Sequence, residues 1–222
     1  MYYDTVIFDL DGTLLDTLPD LHASTNYALR ANGLAERELD EVRRFVGNGI
    51  LNLIKRAVPE GSSDSTVESV FACFKEHYGI HSKDMTVPYD GINDLLVRLK
   101  KQGVKLGVVS NKAQFAVTEI IAHYFSGVFD VAFGEREGVK RKPAPDGVLE
   151  AAELLGGSKV LYVGDSDVDV ATAANAHFDL AAVTWGFRSK KTLRDAGACC
   201  FADTADALYE IVKEGADAYS AN

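Results

Sequence analysis

The chain has 222 residues, 47% apolar and 25% charged, the proportions of a globular protein with one large domain or one domain plus an insertion. With 33 acidic against 23 basic residues the formal charge is −10, which argues against non-specific nucleic-acid binding and leaves local cations to attract any anionic ligand. Three cysteines (Cys73, Cys199, Cys200) make neither a disulfide framework nor a zinc spacing, no apolar run reaches the roughly 18 residues of a membrane span, and no basic leader precedes the first strand, so a cytoplasmic chain is expected.

Thr5-Val6-Ile7-Phe8 is an apolar run of the kind that makes a buried parallel strand, predicted over Thr5–Asp9. It delivers two carboxylates, Asp9 and Asp11, to the C-terminal edge of a sheet, where open α/β folds bind ligands. Carboxylates crowded there require a cation or a shared proton. Gly12 permits the tight turn that follows. Helices are expected over Asp20–Ala31, Leu39–Phe45, Ile50–Ala57 and Thr66–Gly79, parted by Gly33, by Gly47-Asn48-Gly49 and by the loop Val58–Ser63. That block is far longer than one crossover needs and reads as an inserted α-helical cap, residues 18–87, within a core of residues 1–17 and 88–222. The core continues with a helix over Ile92–Gln102, a strand over Lys105–Ser110, a helix over Gln114–His123 and a strand over Phe129–Phe133. A helix over Asp146–Leu155, a strand over Lys159–Gly164, a helix over Val168–His177, a strand over Leu180–Thr184 and a helix over Ala205–Glu214 complete it, with Cys199 and Cys200 expected at a strand. Strands alternating with helices predict an α/β fold with a doubly wound parallel sheet.

Three later segments add polar groups at comparable places. Ser110-Asn111-Lys112 tips a strand, Lys140-Arg141-Lys142-Pro143 leads into a helix, and Gly164-Asp165-Ser166-Asp167-Val168-Asp169 tips another strand. A carboxylate nucleophile, a hard-metal site and donors for a doubly charged oxyanion are what phosphoryl transfer requires. In order and over nearly the whole chain, these segments resemble the four motifs of the haloacid dehalogenase superfamily phosphatases: DxDGT, Ser/Asn after the second strand, K-P, and GDSxxD. The resemblance implies a core sheet of order 5-4-1-2-3, its first strand central beside the strand bearing Asp165, and a cap that closes over the active site.

Asp9 is the candidate nucleophile, able to form an aspartyl-phosphate, the alternative being a metal ligand only; the resemblance implies both tasks, one oxygen each. Asp11 is the candidate general acid/base, and the resemblance implies that only its backbone carbonyl binds the metal. Asp165 is expected to ligate the metal directly, with Mg²⁺ as the ion. Asp169, one turn further, is expected to hold a metal-bound water or Lys142, the alternative being an ordinary first-turn acid; Asp167 is expected to point away. Ser110 and the backbone near Asn111 and Gly12 are candidates to bind phosphoryl oxygens, and Lys142 to neutralise their charge and hold Asp9. Pro143 can place that lysine by starting a helix. Lys112 reads as a second cation or a surface residue, and Asp16 as structural. None of the five histidines has a partnered nucleophile, and no GxxxxGK[ST] loop supports nucleoside triphosphate use.

Phe45–Ala57, Ala182–Arg188 and Asp195–Ala198 resemble bacterial phosphoglycolate phosphatases. Gly47, Asn48 and Gly49 before a helix expose N–H groups suited to a substrate carboxylate, or serve simply as a turn needing small residues. The expected activity is Mg²⁺-dependent phosphomonoester hydrolysis, with 2-phosphoglycolate as substrate. A broad sugar-phosphate or nucleotide phosphatase, a pyrophosphatase, and a non-catalytic phosphate-binding protein are the alternatives. The expected partner is a small phosphorylated metabolite, with no nucleic acid and no membrane.

Overall fold

Thr5–Phe8 forms β1 with all four side chains buried, as a strand covered on both faces should be. The computed structural model describes residues 1–47 and 49–219. The chain divides into two compact units, Met1–Leu15 with the chain from Pro88 onward, and Asp16–Val87. After β1 come β2 (Leu15–Asp16), four helices, α1 (Leu18–Ala31), α2 (Leu39–Phe45), α3 (Ile50–Ala57) and α4 (Asp64–His81), and β3 (Val87–Pro88), which pairs with β2.

Within Asp16–Val87, α1 starts two residues before the expected Asp20, because Pro19 is admitted in a first turn and Asp16 Oδ1 accepts the Leu18 N–H at 3.2 Å. α4 is longer than expected at both ends; Ser63 caps it by accepting the Thr66 N–H at 3.2 Å. α1 packs on α4 and α2, and α3 on α2 and α4. Buried Asp20 accepts the Met85 and Thr86 N–H groups and the Thr86 hydroxyl at 2.7–3.1 Å, tying the end of this unit to its start.

The larger unit continues with α5 (Ile92–Lys101), β4 (Lys105–Ala113), α6 (Gln114–Tyr124), β5 (Val131–Glu135), α7 (Asp146–Leu155), β6 (Val160–Gly164), α8 (Asp167–Ala176), β7 (Asp179–Val183), α9 (Lys190–Asp195), β8 (Phe201–Ala202) and α10 (Ala205–Glu214). The sheet order is β5-β4-β1-β6-β7-β8, and every pair is parallel. Counting the strands of this sheet along the chain, five of them run 5-4-1-2-3, and β8 adds a sixth beside β7. β1 sits between β4 and β6. Its alternating side chains split between two layers: Val6 and Phe8 pack with Leu95, Leu99 and Leu208, and Ile7 packs with Val148, Ala151 and Ala173.

β4 runs three residues past Ser110, and β5 spans Val131–Glu135 rather than Phe129–Phe133. β2, β3 and α9 go beyond expectation; α9 is six residues, four of them charged, too short to show a period. The strand expected at Cys199 and Cys200 is β8, two residues beginning just after Cys200. No helix among the described residues is long and apolar enough to cross a membrane.

Candidate active site

Because β4, β1 and β6 are adjacent and parallel, their C-terminal ends lie side by side, with Phe8 level with Val108 and Val163. Asp9 follows β1, Ser110 to Lys112 lie in the last part of β4, and Asp165 follows β6. Lys142 reaches this edge from the loop before α7. Its Nζ lies 2.8 Å from Asp9 Oδ1, 2.8 Å from Asp169 Oδ1 and 2.9 Å from the Tyr162 hydroxyl, so all three ammonium protons have acceptors. Lys140 and Arg141 face solvent, whereas Lys142 is buried, which sets it apart from its basic neighbours. What holds the loop is the Asn111 carboxamide: it donates to the Lys142 carbonyl at 3.0 Å and accepts the Lys142 N–H at 2.9 Å. Pro143 does not start the helix; α7 begins at Asp146 behind Pro145.

Asp165 and Asp169 are fully buried. Asp165 accepts the Thr13 hydroxyl at 3.0 Å and the Phe187 N–H at 2.7 Å. Two glycines let the chain close around it. Gly12, at φ +85°, and Gly186 stand where any Cβ would collide with the Asp165 side chain. Asp169 is both an α8 first-turn acid and a Lys142 anchor. Its Oδ2 accepts the Ser166 N–H at 3.1 Å and hydroxyl at 2.6 Å, and its Oδ1 accepts Lys142 and the Tyr162 hydroxyl. Asp167 is exposed beside Arg188.

One cation among three buried carboxylates leaves the site electrostatically unbalanced. Burial, and next the charge of Asp169, push the Asp9 carboxyl well above the usual range against the pull of Lys142. Burial and the charge of Asp169 push Asp165 up to about 7. Burial works to raise Asp169 too, but the charge of Lys142 and hydrogen bonds from Lys142, Ser166 and Tyr162 outweigh it and hold that carboxyl low. Burial would lower Lys142, yet Asp169 and Asp9 keep its ammonium well above the ordinary lysine range.

Asp9, Asp165 and Asp169 each offer a carboxylate oxygen, all within 4.8 Å of one another. An all-oxygen donor set suits a hard divalent cation, and the raised carboxyls mark the negative charge that such an ion would relieve. Asp9 Oδ2 accepts no hydrogen bond from the described residues, while its Oδ1 holds Lys142 and the Leu10 N–H. Asp11 does not join these three. Its carboxylate is held by Lys112 Nζ, at 3.0 and 3.3 Å.

A pH signature follows. Asp165 titrates higher folded than unfolded, so its contribution to stability is complete below the ordinary 3.8 and is lost as pH rises to about 7. A divalent cation should offset that loss once it no longer competes with protons. Thermal melts with MgCl₂ or chelator are expected to show a larger Mg²⁺-dependent stabilisation at pH 8 than at pH 5; equal gains would contradict the assignment.

The structure thus brings Asp9, Asp11, Gly12, Ser110, Asn111, Lys142, Asp165 and Asp169 to one sheet edge, with Ser110 buried and its hydroxyl accepting the Lys112 N–H at 3.2 Å. Gly47 and Gly49 belong to the other unit, ahead of α3, with φ of 129° and 80°; Asn48 lies outside the described residues. Tyr162 has no counterpart in the sequence reading. It sits in an apolar strand, and only its hydroxyl-bearing ring could have flagged a buried polar contact.

Residues 6–183 match the family of haloacid dehalogenase-like hydrolases. A phosphoglycolate phosphatase of Cereibacter sphaeroides (strain ATCC 17025 / ATH 2.4.3) is 36% identical over 190 residues, covering 82% of this chain and 86% of that protein. The phosphoglycolate phosphatase of Aquifex aeolicus (strain VF5) is 34% identical over 185 residues, covering 82% and 85%. The crystal structure of a candidate phosphoglycolate phosphatase from Lactobacillus delbrueckii subsp. bulgaricus matches with a TM-score of 0.91 at 37% identity, covering 96% of this chain and 99% of that one. Motif order, the carboxylate and lysine cluster at the sheet edge, and these likenesses agree: the chain belongs to the haloacid dehalogenase-like hydrolases.

Proposed function

We propose that the chain is a Mg²⁺-dependent phosphomonoester hydrolase that uses Asp9 as nucleophile and 2-phosphoglycolate as substrate. The observation that carries the chemistry is the Lys142 network: a buried ammonium holds one oxygen of Asp9 and leaves the other without a hydrogen bond from the described residues. The substrate rests on the relatives, which bear the name phosphoglycolate phosphatase.

Asp9 forms a bond to phosphorus as the bond from phosphorus to the ester oxygen breaks, and Asp11 gives that oxygen a proton. Water then attacks phosphorus and passes a proton to the Asp11 carboxylate; the phosphorus–Asp9 bond breaks, freeing phosphate. Ser110, the neighbouring backbone of Asn111 and the backbone at Gly12 hydrogen-bond the transferring oxygens, while Lys142 balances their charge. Asp9, Asp165 and the Asp11 carbonyl would hold Mg²⁺, which would supply electrostatic neutralisation of the phosphoryl group. Asp169 keeps Lys142 in place.

The test is phosphate release from a panel of 2-phosphoglycolate, sugar phosphates, nucleotides and pyrophosphate, with Mg²⁺ and with chelator. A kcat/KM for 2-phosphoglycolate well above the others, absent in chelator, is the expected result. Equal rates across the panel would keep the chemistry and discard the substrate, and no release from any member would discard both.

A further inference from the structure

The second lysine of the site invites an account of its own. A lysine is almost never buried without a partner, and the Lys112 side chain is 5% exposed with both oxygens of Asp11 in reach of its ammonium. We infer that Lys112 is the positioning residue for Asp11, fixing the carboxylate that serves the leaving oxygen and then the attacking water. The inference rests on the hydrolase reading above and adds a division of labour to it: Lys142 holds the nucleophile and Lys112 holds the acid/base.

The backbone is built to deliver this side chain. The β4–β5 ladder changes register between Val109 and Ala113, so Ser110-Asn111-Lys112 lies in an irregular stretch. Such irregularities beside active sites re-aim side chains. Three contacts hold the irregularity in place. The Ser110 hydroxyl accepts the Lys112 N–H at 3.2 Å. The Gln114 side chain substitutes for missing ladder bonds, accepting the Gly134 N–H at 2.7 Å and donating to the Ala132 carbonyl at 3.2 Å. Gly134 also leaves room that a Cβ would take from the Lys112 carbonyl and the Gln114 backbone. Lys112 therefore approaches Asp11 from a fixed origin. Gripping both oxygens removes the carboxylate's freedom to rotate, and a proton donor misplaced by an ångström loses much of its effect.

Two other roles fit a lysine near this edge. It could bind phosphoryl oxygens itself, with Asp11 as counter-ion, or it could serve only to bury Asp11. Leaving-group dependence separates them. The alkoxide of 2-phosphoglycolate needs a proton to depart, whereas p-nitrophenolate departs without one. Read as the first, pre-steady-state transfer to Asp9, before the water step that also uses Asp11, Lys112→Met is expected to slow 2-phosphoglycolate by about 10²-fold, at the lower end of what general acid–base catalysis contributes, and p-nitrophenyl phosphate by less than about 3-fold. Asp11→Asn should reproduce that pattern, and the double variant should add little to either alone. Equal losses on both substrates with weaker inhibition by orthophosphate would make Lys112 a phosphate ligand. Unchanged kinetics with a lower melting temperature would make it structural. Either result overturns the inference. If Lys112→Met does not fold, Lys112→Arg carries the test, since a re-aimed carboxylate shifts the ratio of the two substrates and a structural pair does not. Wild-type turnover of p-nitrophenyl phosphate, lost in Asp9→Asn, tests the hydrolase reading separately; an inactive wild type would overturn both.

Discussion

Replacing Asp9 by Asn is expected to abolish turnover assayed with Mg²⁺ and to raise the melting temperature measured in chelator. The loss of activity follows from losing the proposed nucleophile and should reach about 10⁴-fold or more. The gain in stability follows from the raised Asp9 carboxyl. Burial and the charge of Asp169 outweigh the attraction of Lys142, so at neutral pH the ionised side chain is worse off folded than unfolded. A neutral amide of the same size removes that penalty. An increase of about 2–4 °C corresponds to roughly 1 kcal/mol in a chain of this length. Calorimetry beside the activity assay checks both halves. A lower melting temperature would mean that the Lys142 pair outweighs the repulsion, contrary to the electrostatics described above.

Lys142→Met should move activity the same way and stability the opposite way. Asp9 and Asp169 would then be left buried with their shared cation gone. Breaking a buried pair from one side costs about 3–5 kcal/mol, and removing a preorganised charge from a transferring group costs about 10²–10³-fold in turnover. Urea unfolding in chelator measures the first, and steady-state kinetics with Mg²⁺ the second. Asp9→Asn combined with Lys142→Met should recover part of the lost stability, because the two residues interact directly. A double variant no more stable than Lys142→Met would place the defect elsewhere.

The parts of the site legible from sequence are those in which chemistry and local pattern coincide. Asp9, Ser110 and Asp165 each follow an apolar run, so their place at the end of a strand is written in the chain beside them. Lys142 is legible through its Pro143 neighbour, although the reason first assigned to that proline, starting a helix, is not the one the fold uses. Tyr162 is not legible as a site member, and Lys112 is legible only as one of two readings, a second cation or a surface residue. A tyrosine in a buried strand looks like any aromatic, and its polar role exists only because Lys142 and Asp169 arrive from elsewhere in the fold. Lys112 looks like a surface lysine until the irregularity of β4 turns it inward. The helical block was legible from its apolar spacing, whereas α9 and β8 are held by tertiary contacts rather than by any repeat of their own.

The central position of β1 has a bearing on how the chain is made. Thr5–Phe8 leaves the ribosome before either of its sheet partners exists. β4 is synthesised about a hundred residues later, and β6 later still. At typical elongation rates of about 5–20 residues per second, this strand, buried in the fold, waits roughly 5–20 s for its first neighbour. Asp16–Val87 emerges during that interval, and it can complete its own helical packing before the sheet begins. The proposed mechanism needs Asp9, Ser110 and Asp165 together, from the ends of β1, β4 and β6, so the appearance of turnover on a translating or refolding chain would time the last of these pairings rather than the first.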